Sequence, residues 1–111
     1  MDTTRQNKIA KLIQKELADI FLFDGPNLYD CMITVTKSTV TRDLSIARAY
    51  LSIFNAEDND PVIKMVSTNS KDIRYRMGQK LKNQLRIIPQ LEFFIDDSLD
   101  YIENIEKLLK Q

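Results

Sequence analysis

No part of this chain restricts its fold more than residues 69–98, N-S-K-D-I-R-Y-R-M-G-Q-K-L-K-N-Q-L-R-I-I-P-Q-L-E-F-F-I-D-D-S. The run Ser67-Thr68-Asn69-Ser70 consists of poor helix formers with strong capping chemistry. It predicts that one helix stops and another starts, with Asn69 or Ser70 as the new N-cap. Beyond it, Ile73, Met77, Leu81 and Leu85 recur at helical period and form a core-facing stripe to about Leu85. Pro89 then pushes the apolar run 87–95 toward a sheet edge or a strand start. Lys71, Arg76, Lys80, Lys82 and Arg86 lie mostly off the stripe, with Asp72 the opposing charge. A helix that packs on one face and offers clustered cations on the rest can both hold a small domain together and touch phosphate.

The rest of the chain supplies what that helix packs on. Ile9, Leu12, Ile13, Leu17, Ile20 and Phe21 predict a first helix over about residues 4–23, started by Asp2, Thr3 or Thr4 and ended by Asp24-Gly25-Pro26-Asn27. Lys8, Lys11 and Lys15 line its far side. Residues 32–41 and 46–54 read as strands around the turn Arg42-Asp43-Leu44. In the second, Ala47, Ala49, Leu51 and Ile53 face the core, leaving Arg48, Tyr50 and Ser52 opposite. Residues 55–60 form a polar loop, and Pro61 opens a short helix to about Thr68. Asp97 or Ser98 caps a last helix with Leu99, Ile102, Ile105 and Leu109 on one face. The order is helix, strand, strand, helix, kinked helix, strand and C-terminal helix, an α+β layout in a single domain over residues 1–111.

Composition removes several function classes. The chain has no histidine, so the commonest general base and nucleophile activator are missing, and no nucleophile motif or Gly-rich phosphate loop replaces them. Catalytic residues, a metal site, cofactors and a small-molecule substrate are therefore not expected. Cys31 cannot form an internal disulfide and reads as a small buried side chain. Asp96, Asp97 and Asp100 suit helix capping better than Mg²⁺ binding. Without a membrane-length apolar run or a signal-peptide apolar centre, the expectation is a cytoplasmic monomer with no membrane partner. A net charge of zero hides an uneven distribution: residues 71–86 are basic, whereas residues 92–111 are mostly acidic.

Arg5-x-x-Lys8-Ile9, Ile33-Thr34-Val35-Thr36, Thr41-Arg42-Asp43-Leu44 and Ala47-Arg48-Ala49-Tyr50 follow one another along the chain. They lead to Ile73-Arg74, Met77-Gly78, Leu81, Ile88-Pro89, Leu91-Glu92-Phe93 and Asp97-x-Leu99. In this order and spacing the sequence resembles the ribosome-binding factor A family of bacterial small-subunit assembly proteins, over nearly its whole length. The resemblance implies a type II KH-like fold. It also implies a non-enzymatic role in ribosome biogenesis: binding the free, immature small ribosomal subunit and its rRNA, assisting late rRNA maturation, often in cold adaptation. Two departures stand out. Asn69-Ser70-Lys71 replaces the family's Ala-x-Gly at the kink, and Asp24-Gly25-Pro26-Asn27 replaces its Asp-Pro-Arg. The chain has no Gly-x-x-Gly loop, so recognition is expected through RNA shape and phosphate.

The RNA-binding candidates are thus Lys71, Arg76, Lys80, Lys82 and Arg86, extended by Lys8, Lys11, Lys15 and Arg42. Arg74 falls within the apolar stripe on a helical wheel, so a buried ion pair with Asp43, Glu92 or Asp97 is expected. Gly78 reads as a point of close strand approach. Tyr75 could stack on a base but is expected only to pack. The competing reading is a protein-protein interaction module that works through the acidic C-terminal helix.

Overall fold

The computed structural model describes residues 4–54, 56 and 58–96. The expected last helix, its caps and the proposed role for it lie outside the described residues. Helix α1 (Thr4–Asp24) is followed by a wide π-type turn (Gly25–Tyr29), then strands β1 (Met32–Val40) and β2 (Ile46–Phe54). Helices α2 (Asn59–Thr68) and α3 (Ser70–Leu81) lead to strand β3 (Gln90–Ile95). The strand order is β1-β2-β3, with β1 and β2 antiparallel and β2 and β3 parallel. This is the α+β arrangement expected from the sequence.

The core forms where the helices cross one face of the sheet. Ile13, Leu17 and Phe21 of α1 are fully buried, as are Ile73, Met77 and Leu81 of α3. Ala47 and Ala49 of β2 are equally buried, and their small side chains leave room for close helix passage. Phe21 meets Phe93 of β3 edge-to-face at 5.8 Å, closing the core between the first helix and the last strand. Phe93 thus faces inward. Phe94 faces outward and stacks on Tyr50 at 5.5 Å. Ser52 departs from the expected alternation and is buried on that outer face.

Several boundaries moved for local reasons. Asp24-Gly25-Pro26-Asn27 does not end α1 cleanly. Pro26 has no N–H to give the helical ladder, and the chain widens until Asp30 (φ 58°) and Cys31 donate back to the Gly25 carbonyl. A side chain on Gly25 would put a Cβ 2.8 Å from the Cys31 carbonyl oxygen, so this approach requires glycine. Helix α2 starts before Pro61 because the Asp58 carboxylate accepts from the Asp60 N–H.

The kink sits at Asn69 as expected, but its side chain does not cap α3. The Asn69 N–H bonds back to Met65 and Val66, while its carbonyl accepts from Ile73, so one residue closes α2 and opens α3. That leaves the Asn69 amide free to donate to the Tyr29 hydroxyl at 3.1 Å. Helix α3 ends at Leu81 rather than Leu85, although Leu85 is still buried in the turn beyond. Strand β3 begins directly after the buried Pro89, at a sheet edge.

Arg74 corrects an expectation. It is exposed and pairs with no carboxylate among the described residues. Its guanidinium instead donates to the Ile88 carbonyl at 2.7 Å and the Pro89 carbonyl at 3.1 Å. The flank position read from the wheel is real, but a long side chain there reaches past the core to bare backbone acceptors. Glu92 is held by Arg48 at 3.0 Å, and Asp43 by its own turn. Gly78 likewise faces the Ile88 side chain, 3.4 Å from a Cβ built there, and not a strand backbone.

Candidate nucleic-acid interface

Three separate segments bring cations to one open cleft of about 630 Å³. Arg5 and Lys8 come from the first turns of α1, Arg42 from the β1–β2 turn and Arg86 from the α3–β3 connection. All four are exposed or half-buried at the surface. Ile9, Leu44 and Leu85 line the cleft beneath them. Among the described residues, Asp43 is the only acidic one in its lining.

Each cation is placed by structure that can be read residue by residue. The i, i+3 spacing of Arg5 and Lys8 puts both on one helix face. The turn bearing Arg42 is closed by Leu44 N–H to Thr41 carbonyl at 2.9 Å and by Thr41 N–H to Ile46 carbonyl at 3.0 Å. Asp43 fastens it further, accepting from the Thr41 hydroxyl at 2.7 Å and from the Ser45 N–H and hydroxyl. Those bonds, the Thr41 hydroxyl first, hold the Asp43 carboxyl below its ordinary 3.8. Its charge is thereby turned toward the turn. Arg86 rides on a connection pinned at both ends, by Leu85 N–H to Leu81 carbonyl and by the Arg74 guanidinium on Ile88 and Pro89.

The sequence candidates do not form one surface. Lys8, Arg42 and Arg86 share the cleft. Lys11 and Lys15 flank a shallow groove against Val35. Lys71 borders a third groove with Arg74, Tyr75 and Gln90. Lys82 is exposed at the C-cap of α3. Lys80 sits in the α1–α3 groove among Glu16 and Asp19, so its acidic neighbours come from another helix.

Arg76 has a structural task. It makes a bidentate pair with Asp24 at 2.6 and 2.9 Å, with the carboxylate side chain 2% exposed. Hydrogen bonding to Asp24 raises the Arg76 guanidinium above its ordinary value. The buried charge pair expected at Arg74 is therefore found at Arg76. Arg5, absent from the sequence candidates, joins the cleft; its signal was the same i, i+3 spacing to Lys8.

Chemically the cleft offers guanidinium and ammonium donors over an apolar floor, with the Asp43 carboxylate engaged by the hydroxyls of its own turn. Among the described residues, no group of three or more Cys, Asp or Glu could hold a metal ion. No described helix is long and apolar enough to cross a membrane. Such a site suits phosphate binding by charge and shape.

Comparison with known proteins gives this arrangement a context. The family model described as Ribosome-binding factor A matches residues 5–109. The chain is 45% identical to Ribosome-binding factor A of Christiangramia forsetii, covering 98% of this chain and 85% of that protein. It is 38% identical to the Cytophaga hutchinsonii protein of the same name, covering 100% and 84%. The fold is similar to the crystal structure of ribosome-binding factor A from Thermus thermophilus, with TM-score 0.66, 20% identity and coverage of 81% and 94%. It is also similar to a homology model of the Thermus thermophilus factor fitted into a cryo-EM map of a 30S complex. There the TM-score is 0.60, the identity 16% and the coverage 87% and 97%.

Proposed function

Since the chain belongs to the ribosome-binding factor A family, we propose that it binds the immature small ribosomal subunit, contacts its rRNA and assists late maturation without catalysing a reaction. The observation that carries the RNA contact is the cleft where Arg5, Lys8, Arg42 and Arg86 converge from three segments, with one hydrogen-bonded acid among the described residues between them. Four cations held on pinned backbone lose little freedom on meeting phosphates, and phosphate contacts fix register without reading sequence. Lys71 and Tyr75, at a separate groove beside the Asn69 kink, offer a further contact. Lys11, Lys15, Lys80 and Lys82 are secondary contacts. Arg76 supports it from within the fold. The 30S complex of the Thermus thermophilus factor supports the same partner for this chain, and the protein acts as a cytoplasmic monomer.

The test is sedimentation of the tagged protein from lysate through a sucrose gradient at low magnesium. The expected result is co-migration with free small subunits and not with assembled ribosomes. Migration only at the top of the gradient, at low salt as well as high, would contradict the proposal.

A further inference from the structure

The lining of the cationic cleft includes apolar surface for which phosphate has no use. Ile87 lines it and is 60% exposed, although the connection bearing it is pinned by the Arg74 guanidinium on the Ile88 carbonyl at 2.7 Å. Leu44 lines it from the β1–β2 turn with φ at 63°, a left-handed conformation that a leucine adopts only at a cost. Glycine or asparagine would meet that φ with less strain. The leucine is held there half-buried against the core. One exposed isoleucine is ordinary on a surface; beside a strained leucine in one cationic cleft it forms an apolar wall. Gln84 adds an exposed side-chain amide, both donor and acceptor, to the same lining.

This mixture selects the occupant. An RNA duplex presents phosphate and sugar and keeps its bases stacked, so it would engage Arg5, Arg42 and Arg86 and leave Leu44 and Ile87 bare. An unpaired nucleotide offers both halves at once, phosphates for the cations and a flat base with a polar edge for the wall and Gln84. The chain's own acidic residues 97–111 are badly placed to compete. Strand β3 starts beside the cleft, where the Gln90 N–H meets the Ser45 carbonyl at 2.9 Å. It ends at Ile95, about 17 Å away along the strand. A helix over residues 97–111 would span about 22 Å, so its last turn, with Lys107 and Lys110, is what would reach the cleft's cations. A second copy meeting cleft to cleft would set the same cations against each other.

We propose that the cleft holds one unpaired nucleotide of RNA, with its base against Leu44 and Ile87 and its flanking phosphates on Arg5, Arg42 and Arg86. The inference rests on the RNA contact proposed above and narrows it to single-stranded stretches.

The test uses the full chain and three labelled probes: a short single-stranded RNA, the same strand in a duplex, and the strand with abasic sites throughout. Binding is read by fluorescence anisotropy over a range of salt. The single strand should bind at least about fivefold more tightly than either of the others. Ile87→Ser should remove about fivefold from the single strand alone, with the salt slope and melting temperature of the parent. Leu44→Asn, which suits the left-handed turn, should weaken the same probe while melting within a few degrees of the parent. The inference is overturned if the three probes bind alike or not at all. It is equally overturned if Ile87→Ser acts on all probes or on none, or if a peptide of residues 97–111 displaces the strand. Equal, salt-dependent binding of the three probes would leave the phosphate contact standing. Loss of co-sedimentation with small subunits, with the strand preference intact, would remove the assembly role alone.

Discussion

Arg74 and Arg76 stand two residues apart on α3, yet only one is tied to a buried charge. Asp24 lies 52 positions from Arg76, at the end of α1, and it is that helix crossing which decides between them. Removing either partner leaves the other uncompensated, and for the nearly inaccessible Asp24 carboxylate the cost is large. Asp24→Ala and Arg76→Ala are each expected to destabilise the fold by about 3 kcal/mol. The double variant should fall short of the sum by more than about 1 kcal/mol in urea titration. Arg76 is therefore a poor probe of RNA contact, since its reversal would also destabilise the fold.

Asp43 carries a pH dependence of defined sign. Its folded-state value is depressed below 3.8, chiefly by the Thr41 hydroxyl, so the stability it contributes is present above that value. That contribution disappears as pH falls through the lower folded-state value. Melting temperatures taken from about pH 6 to about pH 2 should show Asp43→Asn losing less than the parent on the acid side, with the two converging at the lowest pH. Parallel curves would show that the turn bonds do not favour the ionised form.

At the scale of elements, the two glycines separate backbone need from helix propensity. Gly25 has the Cys31 carbonyl within 2.8 Å of a would-be Cβ, and backbone cannot yield cheaply there. Gly25→Ala is expected to cost about 2 kcal/mol or more and loosen the α1–β1 connection. Gly78 faces only the movable end of Ile88, so Gly78→Ala should stabilise by up to about 1 kcal/mol through helix propensity. Chemical denaturation midpoints distinguish the two. The elements themselves were legible because their periods are unambiguous. Ile73, Met77 and Leu81 read as a buried stripe and are one, and β2 has the predicted bounds. The end of α3 was less legible, since Leu85 keeps the stripe's spacing while the chain has already turned. Helical period alone does not separate a buried turn residue from a buried helix residue.

At the scale of the whole molecule, charge proximity was the least legible feature. The basic run on α3 suggested one continuous surface, but folding commits Arg76 to Asp24 and sets Lys80 among acids of α1. The cleft instead draws on residues 5, 8, 42 and 86, which only topology brings together. Its role can be measured by titrating the purified protein into free small subunits over a range of salt. Four cleft contacts at about −0.7 each contribute about −2.8 to the slope of log affinity on log salt. Arg42→Ala with Arg86→Ala should make the slope shallower by about 1.4 with little change in melting temperature. A slope unchanged by that pair of substitutions, or near zero in the parent protein, would contradict the cleft as the RNA-binding surface.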